Sequence, residues 1–212
     1  VVLVLLFVAV PFGQMFSEEL EPLENPEFAP SAPFDILMYG NSYTSANNLA
    51  NLVQDGMVSG GVATTVDSLT GGGMTLDGHS QNAQSSGHSW NTTLNDGTAW
   101  DYVVLQDQSQ KPSLSPAYVA NNVYPYATQL VDAIQLNNSC TEPVFYMTWG
   151  RKNGDASNCA AYPPVCTYLG MQQRLRESYL DMTFNHNATC SPVGICWKES
   201  IAQDSTLNLF SP

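Results

Sequence analysis

Basic residues are scarce in this 212-residue chain and absent from its first half. Lysine and arginine together number six against 19 aspartates and glutamates, the formal net charge is −13, and Lys111 is the first of the six. A surface of this sign repels phosphate backbones and anionic lipid head groups, which excludes nucleic-acid binding and polybasic membrane attachment. Because 43% of the residues are hydrophobic and four are tryptophan, the composition also excludes a disordered chain.

No apolar run in the sequence is long enough to cross a membrane. The longest, residues 1–10 (VVLVLLFVAV), would span about 15 Å as a helix, half of a ~30 Å hydrocarbon core. This length is typical of the hydrophobic region of a secretory signal peptide, with a buried strand as the alternative. We therefore predict a signal-peptide remnant at 1–16, an acidic, proline-rich leader at 17–33 and one domain at 34–212.

Cysteine pairs with zinc-binding spacing are missing. The chain has no C-x-x-C pair, so we expect no zinc site. All five cysteines lie in the last third, and in an oxidising compartment their proximity favours the disulfides Cys159–Cys166 and Cys190–Cys196, with Cys140 unpaired.

Three N-x-S/T sequons begin at Asn91, Asn137 and Asn187. Each is a candidate glycosylation site in a secreted protein. Together with the signal-like start, the sequons predict a secreted, extracellular glycoprotein.

Strand-like and helix-like segments alternate along the domain. The apolar runs predict strands at 34–39, 62–69, 102–105 and 144–148, with 193–197 as a candidate fifth, and the spacing of apolar residues predicts helices at 49–57, 118–136 and 168–184. Strands that are apolar throughout are buried on both faces, so the pattern predicts a parallel α/β sheet with helices on both sides. Ligands of such sheets bind beyond the carboxyl ends of the strands.

Each of the first three strands is followed by a loop that could carry chemistry. After the first, Ser42 lies between a buried strand and a helix, where it is either an exposed hydroxyl nucleophile or a helix cap. After the second, residues 71–73 are three glycines, whose unhindered amides suit an oxyanion hole or a flexible turn. After the third, residues 106–110 (QDQSQ) are rich in amide side chains.

These loops lie in segments that resemble conserved blocks of the SGNH/GDSL hydrolases. The similar segments are FDILMYGNSYT at 34–44, GGMTLDGH at 72–79, WDYVVLQDQS at 100–109 and MTWGRKNGD at 147–155. They are most similar to a branch in which Gly-Asn-Ser replaces Gly-Asp-Ser. The resemblance extends over 34–212.

The resemblance implies a flavodoxin-like three-layer α/β/α sandwich with a parallel sheet of about five strands, and ester hydrolysis by a serine nucleophile. Ser42 would be the nucleophile, and its own N–H would contribute to the oxyanion hole. The further oxyanion or substrate-binding candidates are Gly73 with Gly72 as the alternative, Gln106 or Gln108 for a side-chain amide, and Asn41 and His79. No cofactor and no metal are implied.

The family's catalytic base comes from a C-terminal Asp-x-x-His motif, which this sequence does not contain. We expect that motif to follow Pro212. The resulting prediction is a secreted serine esterase acting on a small-molecule or polysaccharide ester, such as an acetylated carbohydrate. The alternative is a non-catalytic glycan-binding or structural module that retains the fold without the base.

Overall fold

The computed structural model describes residues 33–204 and 206–210. The predicted signal-peptide remnant and nearly all of the predicted leader lie outside this range. Five strands form one parallel sheet in the order β2-β1-β3-β4-β5. Their bounds are β1 Phe34–Gly40, β2 Thr64–Thr70, β3 Tyr102–Leu105, β4 Glu142–Tyr146 and β5 Thr189–Ser191.

Eight α-helices are present in the described part of the chain. They are α1 Ser42–Ser45, α2 Leu49–Ser59, α3 Leu76–Gln84, α4 Ser89–Leu94, α5 Pro116–Asn122, α6 Tyr124–Asn137, α7 Tyr168–Asn185 and α8 Val193–Gln203.

Alternate residues along the strands lie in two separate hydrophobic cores, one on each face of the sheet. On one face, Leu37 and Tyr39 of β1 join a large cluster to which helices α3 to α7 contribute. On the other face, Ile36 and Met38 pack with Ala50 of α2 in a smaller cluster. This two-sided burial confirms the predicted α/β class, with helices on both sides of a five-stranded parallel sheet.

Two predicted elements differ from the structure. The helix predicted at 118–136 is divided into α5 and α6 at Val123, because Pro125 lacks an amide hydrogen and falls in the first turn of α6. The apolar segment 193–197, a candidate strand, begins helix α8, and the fifth strand is formed by the three residues before Pro192. A short apolar run has no period that separates a strand from a buried helix.

One of the two predicted disulfides is present. Cys159 and Cys166 are bonded, whereas the predicted pair Cys190–Cys196 is wrong, since both of these thiols are free. Cys190 belongs to β5 and packs against the larger core, while Cys196 lies on α8. The two cysteines are close in sequence but lie on different elements, which is why proximity in sequence predicted the wrong bond. Cys140 is free and exposed, as predicted.

Within 33–204 and 206–210, no helix is both long and apolar enough to cross a bilayer, and no cluster of three potential metal ligands occurs.

Candidate active site

The loops after β1, β2 and β3 meet at one edge of the sheet. The chain continues from β1 outward to β2 and then returns to place β3 on the other side of β1. A reversal of this kind opens a crevice at the carboxyl ends of the two strands that flank it. The loops that carry Ser42 and residues 106–110 therefore border this crevice, as their sequence positions predicted.

Asn41 connects the three loops to one another. Its side-chain oxygen accepts a hydrogen bond of 3.0 Å from the Tyr43 N–H, and its amide group donates to the carbonyls of Met74 at 3.0 Å and Asp107 at 3.3 Å. The residue is only 3% exposed. The predicted substrate-binding role of Asn41 therefore has no support in these contacts: its amide holds the loops together.

Ser42 directly follows Asn41, the residue that connects the three loops. It is exposed and is the first residue of α1. Because the first amides of a helix have no acceptor within the helix, the N–H of Ser42 is available to a ligand together with its hydroxyl group. This is the arrangement that a nucleophile contributing its own amide to an oxyanion hole requires.

The glycine loop runs alongside the serine loop. The N–H of Gly71 donates to the carbonyl of Gly40 at 3.3 Å, which extends the contact between β2 and β1. Gly72 and Gly73 are exposed, and Gly73 has φ +65°, a conformation that a side chain would strain. These two amides are the open donors of the loop, and an oxyanion-hole role for Gly73 or Gly72 stays a prediction.

Gln106 lies beneath the serine loop and does not face solvent. It is 1% exposed, and its side-chain oxygen accepts from the Asn41 N–H and the Thr44 hydroxyl, both at 3.0 Å. Its amide nitrogen donates to the Asp107 carbonyl. A Cβ at Gly40 would come within 2.0 Å of the Thr44 hydroxyl oxygen, so glycine is needed there for this packing.

Gln108, the other side-chain candidate for the oxyanion hole, is turned toward its own loop. Its amide nitrogen donates to the side-chain oxygen of Gln110 at 2.9 Å, and its oxygen accepts from the amides of Gln110 at 2.7 Å and Lys111 at 3.2 Å. Both glutamines are thus engaged within the protein. The donors that this geometry leaves open are the backbone amides of Ser42, Gly72 and Gly73.

Asp107 is a buried carboxylate that the sequence analysis did not identify as a site residue. One of its side-chain oxygens accepts from the amides of Leu76 at 2.9 Å and Gln108 at 2.7 Å. Its other oxygen has no hydrogen-bond partner among the described residues. Burial raises the pKa of Asp107 to about 6, against the opposing effect of the two amides. The carboxylate therefore joins the start of α3 to the loop after β3.

The alternation of β3 could have revealed Asp107. Val103 and Leu105 point into the larger core, and a strand period of two places residue 107 on the same inward side. By the same rule Gln106 lies on the side of Val104. The side-chain periodicity thus indicates which residues point inward, whereas the motif resemblance alone does not.

His79, predicted to contact substrate, is instead part of the core. It is fully buried, accepts a hydrogen bond of 2.9 Å from the indole N–H of Trp90, and stacks on Tyr39. Burial lowers the pKa of His79 to about 4, so the ring is neutral near pH 7. His79 therefore belongs to the buried face of α3.

The other two histidines are also engaged away from Ser42. His88 caps α4 by accepting from the Trp90 amide, and His186 follows α7 beside Thr128 and Phe145. The part of the chain that the structure describes therefore brings together the exposed Ser42 and open backbone donors, and none of its three histidines is hydrogen-bonded to that serine.

Comparison with known proteins supports this architecture. No protein-family model and no curated protein matches the sequence. Among solved structures, a protein from Slackia heliotrinireducens that is provisionally described as an SGNH hydrolase is 24% identical, with a TM-score of 0.63 over 79% of this chain and 83% of that one. A DUF4886 family protein from Bacteroides uniformis is 16% identical, with a TM-score of 0.58 over 77% and 68%.

A third similar structure is a protein from Parabacteroides merdae that is provisionally described as a GDSL-like lipase. It is 11% identical, with a TM-score of 0.54 over 84% of this chain and 86% of that one. At these identities the likeness establishes the fold. The chain therefore has the SGNH/GDSL hydrolase fold, as the sequence motifs predicted, and its serine and glycine loops lie at the carboxyl edge of that sheet.

Proposed function

We propose that this protein is a serine esterase that cleaves carboxylic esters through Ser42. The observation that carries the proposal is the exposed Ser42 at the start of α1, fixed by the three-loop connection through Asn41 and set beside the open glycine amides. Asn41, not Ser42, caps α1 by accepting from the Tyr43 N–H, so the Ser42 hydroxyl is not used as the helix cap. The SGNH/GDSL fold supports the same reaction class by analogy.

The reaction would proceed in two acyl-transfer steps. The Ser42 hydroxyl oxygen attacks the ester carbonyl carbon, and the N–H groups of Ser42 and Gly73 donate hydrogen bonds to the carbonyl oxygen as negative charge develops on it. Collapse of the tetrahedral intermediate releases the alcohol and leaves an acyl-serine. Water then attacks this ester and releases the carboxylic acid, which regenerates Ser42.

The hydroxyl proton needs a base. The resemblance to the family assigns this role to an Asp-x-x-His motif, which residues 1–212 do not contain. A serine hydroxyl without such a base is a poor nucleophile.

We further propose that the protein is secreted and that its substrates include acetylated carbohydrates. Two of the three sequons suit glycosylation, because Asn137 and Asn187 are exposed. In contrast, the side-chain amide of Asn91 donates to the Ala83 carbonyl at 2.7 Å. Asn91 is therefore the sequon least accessible to a glycan.

The test uses the full natural chain and a fluorophosphonate probe. Intact mass before and after labelling should show one adduct, which peptide mapping should place on Ser42, and Ser42→Ala should lower kcat/KM at least about a thousandfold. Ser45→Ala is the matched control, since Ser45 lies in the same short helix. The mass of the natural protein should also show glycans on Asn137 and Asn187.

Absence of an adduct, or an adduct elsewhere, would contradict the proposal. Unlabelled protein that still bound an acetylated oligosaccharide, with or without Ser42, would instead support the non-catalytic binding module.

A further inference from the structure

Three aromatic side chains form a parallel stack beside Ser42. The rings of Tyr43 and Trp149 lie 4.6 Å apart at 5°, and those of Trp149 and Trp197 lie 4.0 Å apart at 7°. Phe210 meets Trp197 edge-on at 5.5 Å. We call Tyr43, Trp149 and Trp197 the aromatic stack. Among the ring contacts of the described residues, Tyr43 has a ring on one side only, so it forms the outer end of the stack.

The aromatic stack lies at the site edge, and its middle ring, Trp149, also packs against the smaller core. Tyr43 follows Ser42 directly, and Trp149 lies shortly after the carboxyl end of β4. All three rings are half-buried. Large aromatic side chains usually contribute to a core or to a contact surface. Here Tyr43 and Trp149 follow the carboxyl ends of β1 and β4, and Trp197 of α8 stacks behind them.

We propose that the outer face of Tyr43 binds the sugar ring of an uncharged acylated carbohydrate, so that the alcohol part of the ester lies on the aromatic stack. This inference rests on the proposed esterase function. The C–H face of a pyranose ring is flat and apolar, and its rim of hydroxyl groups is polar. A tyrosine face held by stacking on Trp149 can bury that apolar face with little loss of side-chain freedom.

The charge of the site favours a neutral alcohol over an anionic one. The serine and glycine loops come from the first 110 residues, which contain no lysine or arginine. Arg151, two residues beyond Trp149, is already engaged: its guanidinium donates to the Ser109 hydroxyl at 3.3 Å and lies 3.9 Å from the Asp155 carboxylate. The serine and glycine loops themselves therefore offer no cation to a phosphate or a uronate, and the exposed Lys152 lies beyond Arg151 in the loop after β4.

The openness of the site favours a large alcohol over a long acyl chain. Ser42, Gly72 and Gly73 are all exposed, whereas a long acyl chain needs an enclosed apolar channel. Asn47 and Asn48 are also exposed, in the turn that follows α1, with φ of +54° and +56°. Their amide groups are suited to the hydroxyl rim of a sugar.

Relative activity on two esters tests the proposal with the full natural chain. The esters are methyl tri-O-acetyl-xyloside, which carries a sugar ring, and ethyl acetate, which does not. For Tyr43→Ala we expect the ratio of kcat/KM values, sugar ester over ethyl acetate, to fall about tenfold to a hundredfold, as the loss of one buried ring face implies. Tyr43→Phe should keep the ratio, since the ring face remains.

Phe184→Ala is the matched control, because Phe184 is an 85% exposed aromatic on α7 outside the aromatic stack, and it should leave the ratio unchanged. Equal losses on both esters in Tyr43→Ala would show that Tyr43 only positions Ser42. An unchanged ratio would show that the sugar ring does not lie on Tyr43. Either result overturns the inference while leaving the esterase function intact.

A binding measurement tests the same contact without catalysis. Titration of Ser42→Ala with xylohexaose should change the tryptophan fluorescence, because Trp149 packs against the ring that the sugar covers, and Tyr43→Ala should abolish the change. A titration that is unaffected by Tyr43→Ala would overturn the inference. Failure of both esters and of fluorophosphonate labelling, with the Tyr43-dependent titration preserved, would overturn the esterase function alone.

Discussion

Single buried polar side chains determine how the three loops of the site are joined. Asn41 and Gln106 use their amide groups entirely on main-chain and hydroxyl partners, at 3% and 1% exposure. A buried amide that loses its partner costs about 1–3 kcal/mol, so these residues fix the loops strongly. The motif alone identifies them as site residues but gives no direction for their side chains, which is why Gln106 was expected to face the substrate.

Asp107 gives a pH-dependent prediction at the residue scale. Its pKa is raised from 3.8 to about 6 by burial, so the folded protein binds a proton that the unfolded chain has already lost. This stabilisation is fully present below pH 4 and is lost as the pH rises through 6. Asp107→Asn is neutral at every pH. We expect its free energy of unfolding, relative to wild type, to be higher at pH 8 than at pH 4 by about 2 kcal/mol.

Urea denaturation of both proteins at pH 4 and pH 8 measures this difference. His79 acts in the opposite direction, because its pKa is lowered to about 4 and its contribution is lost as the pH falls. It is present in both proteins, so its effect cancels in the comparison. Asp55→Asn is the matched control, because Asp55 is an exposed aspartate on α2. An equal gain at both pH values would contradict the assignment to Asp107 ionisation.

At the scale of elements, the apolar strands were predictable from the sequence, whereas the polar helix α3 was not. The segment YVVL at 102–105 coincides with β3, because a buried parallel strand is apolar throughout. Helix α3 has its buried positions at the helical spacing Leu76, His79, Ser80 and Ala83. Two of the four are polar, so the hydrophobic period that would have predicted the helix is missing. The site loops were found because they follow the recognisable strands.

The disulfide gives a prediction about one connection. Cys159 and Cys166 close a short loop before α7, and that loop includes Val165, whose carbonyl accepts from the Asp155 amide at 2.7 Å. A crosslink over so short a loop stabilises by about 2 kcal/mol through the unfolded state. We expect the double variant Cys159→Ser, Cys166→Ser to lose about that much in urea denaturation.

Cys140→Ser provides the comparison for this variant, because Cys140 is exposed and unpaired, and it should leave the unfolding free energy unchanged. Adding a reducing agent should lower the stability of the wild type and have no effect on the double variant. A wild-type stability that does not respond to reduction would contradict a structural role for the bond.

At the scale of the whole molecule, the net charge of −13 acts on every approaching substrate. The field of an excess of acidic residues slows association of anions and leaves neutral molecules unaffected, and salt screens it. Ethyl butyrate and monoethyl succinate have similar size and differ in one carboxylate. We expect kcat/KM for monoethyl succinate to rise severalfold between about 10 mM and 300 mM salt, over which the screening length falls from about 30 Å to below 10 Å.

Ethyl butyrate is the control in this experiment, and its kcat/KM should stay nearly constant over the same range. A fall in the rate with the anionic ester as salt increases would mean that local cations attract the carboxylate despite the net charge. Because Arg151 is already bound to Ser109 and Asp155 and the serine and glycine loops carry no lysine or arginine, we expect repulsion to dominate. The same repulsion would make neutral carbohydrate esters better substrates than acidic ones.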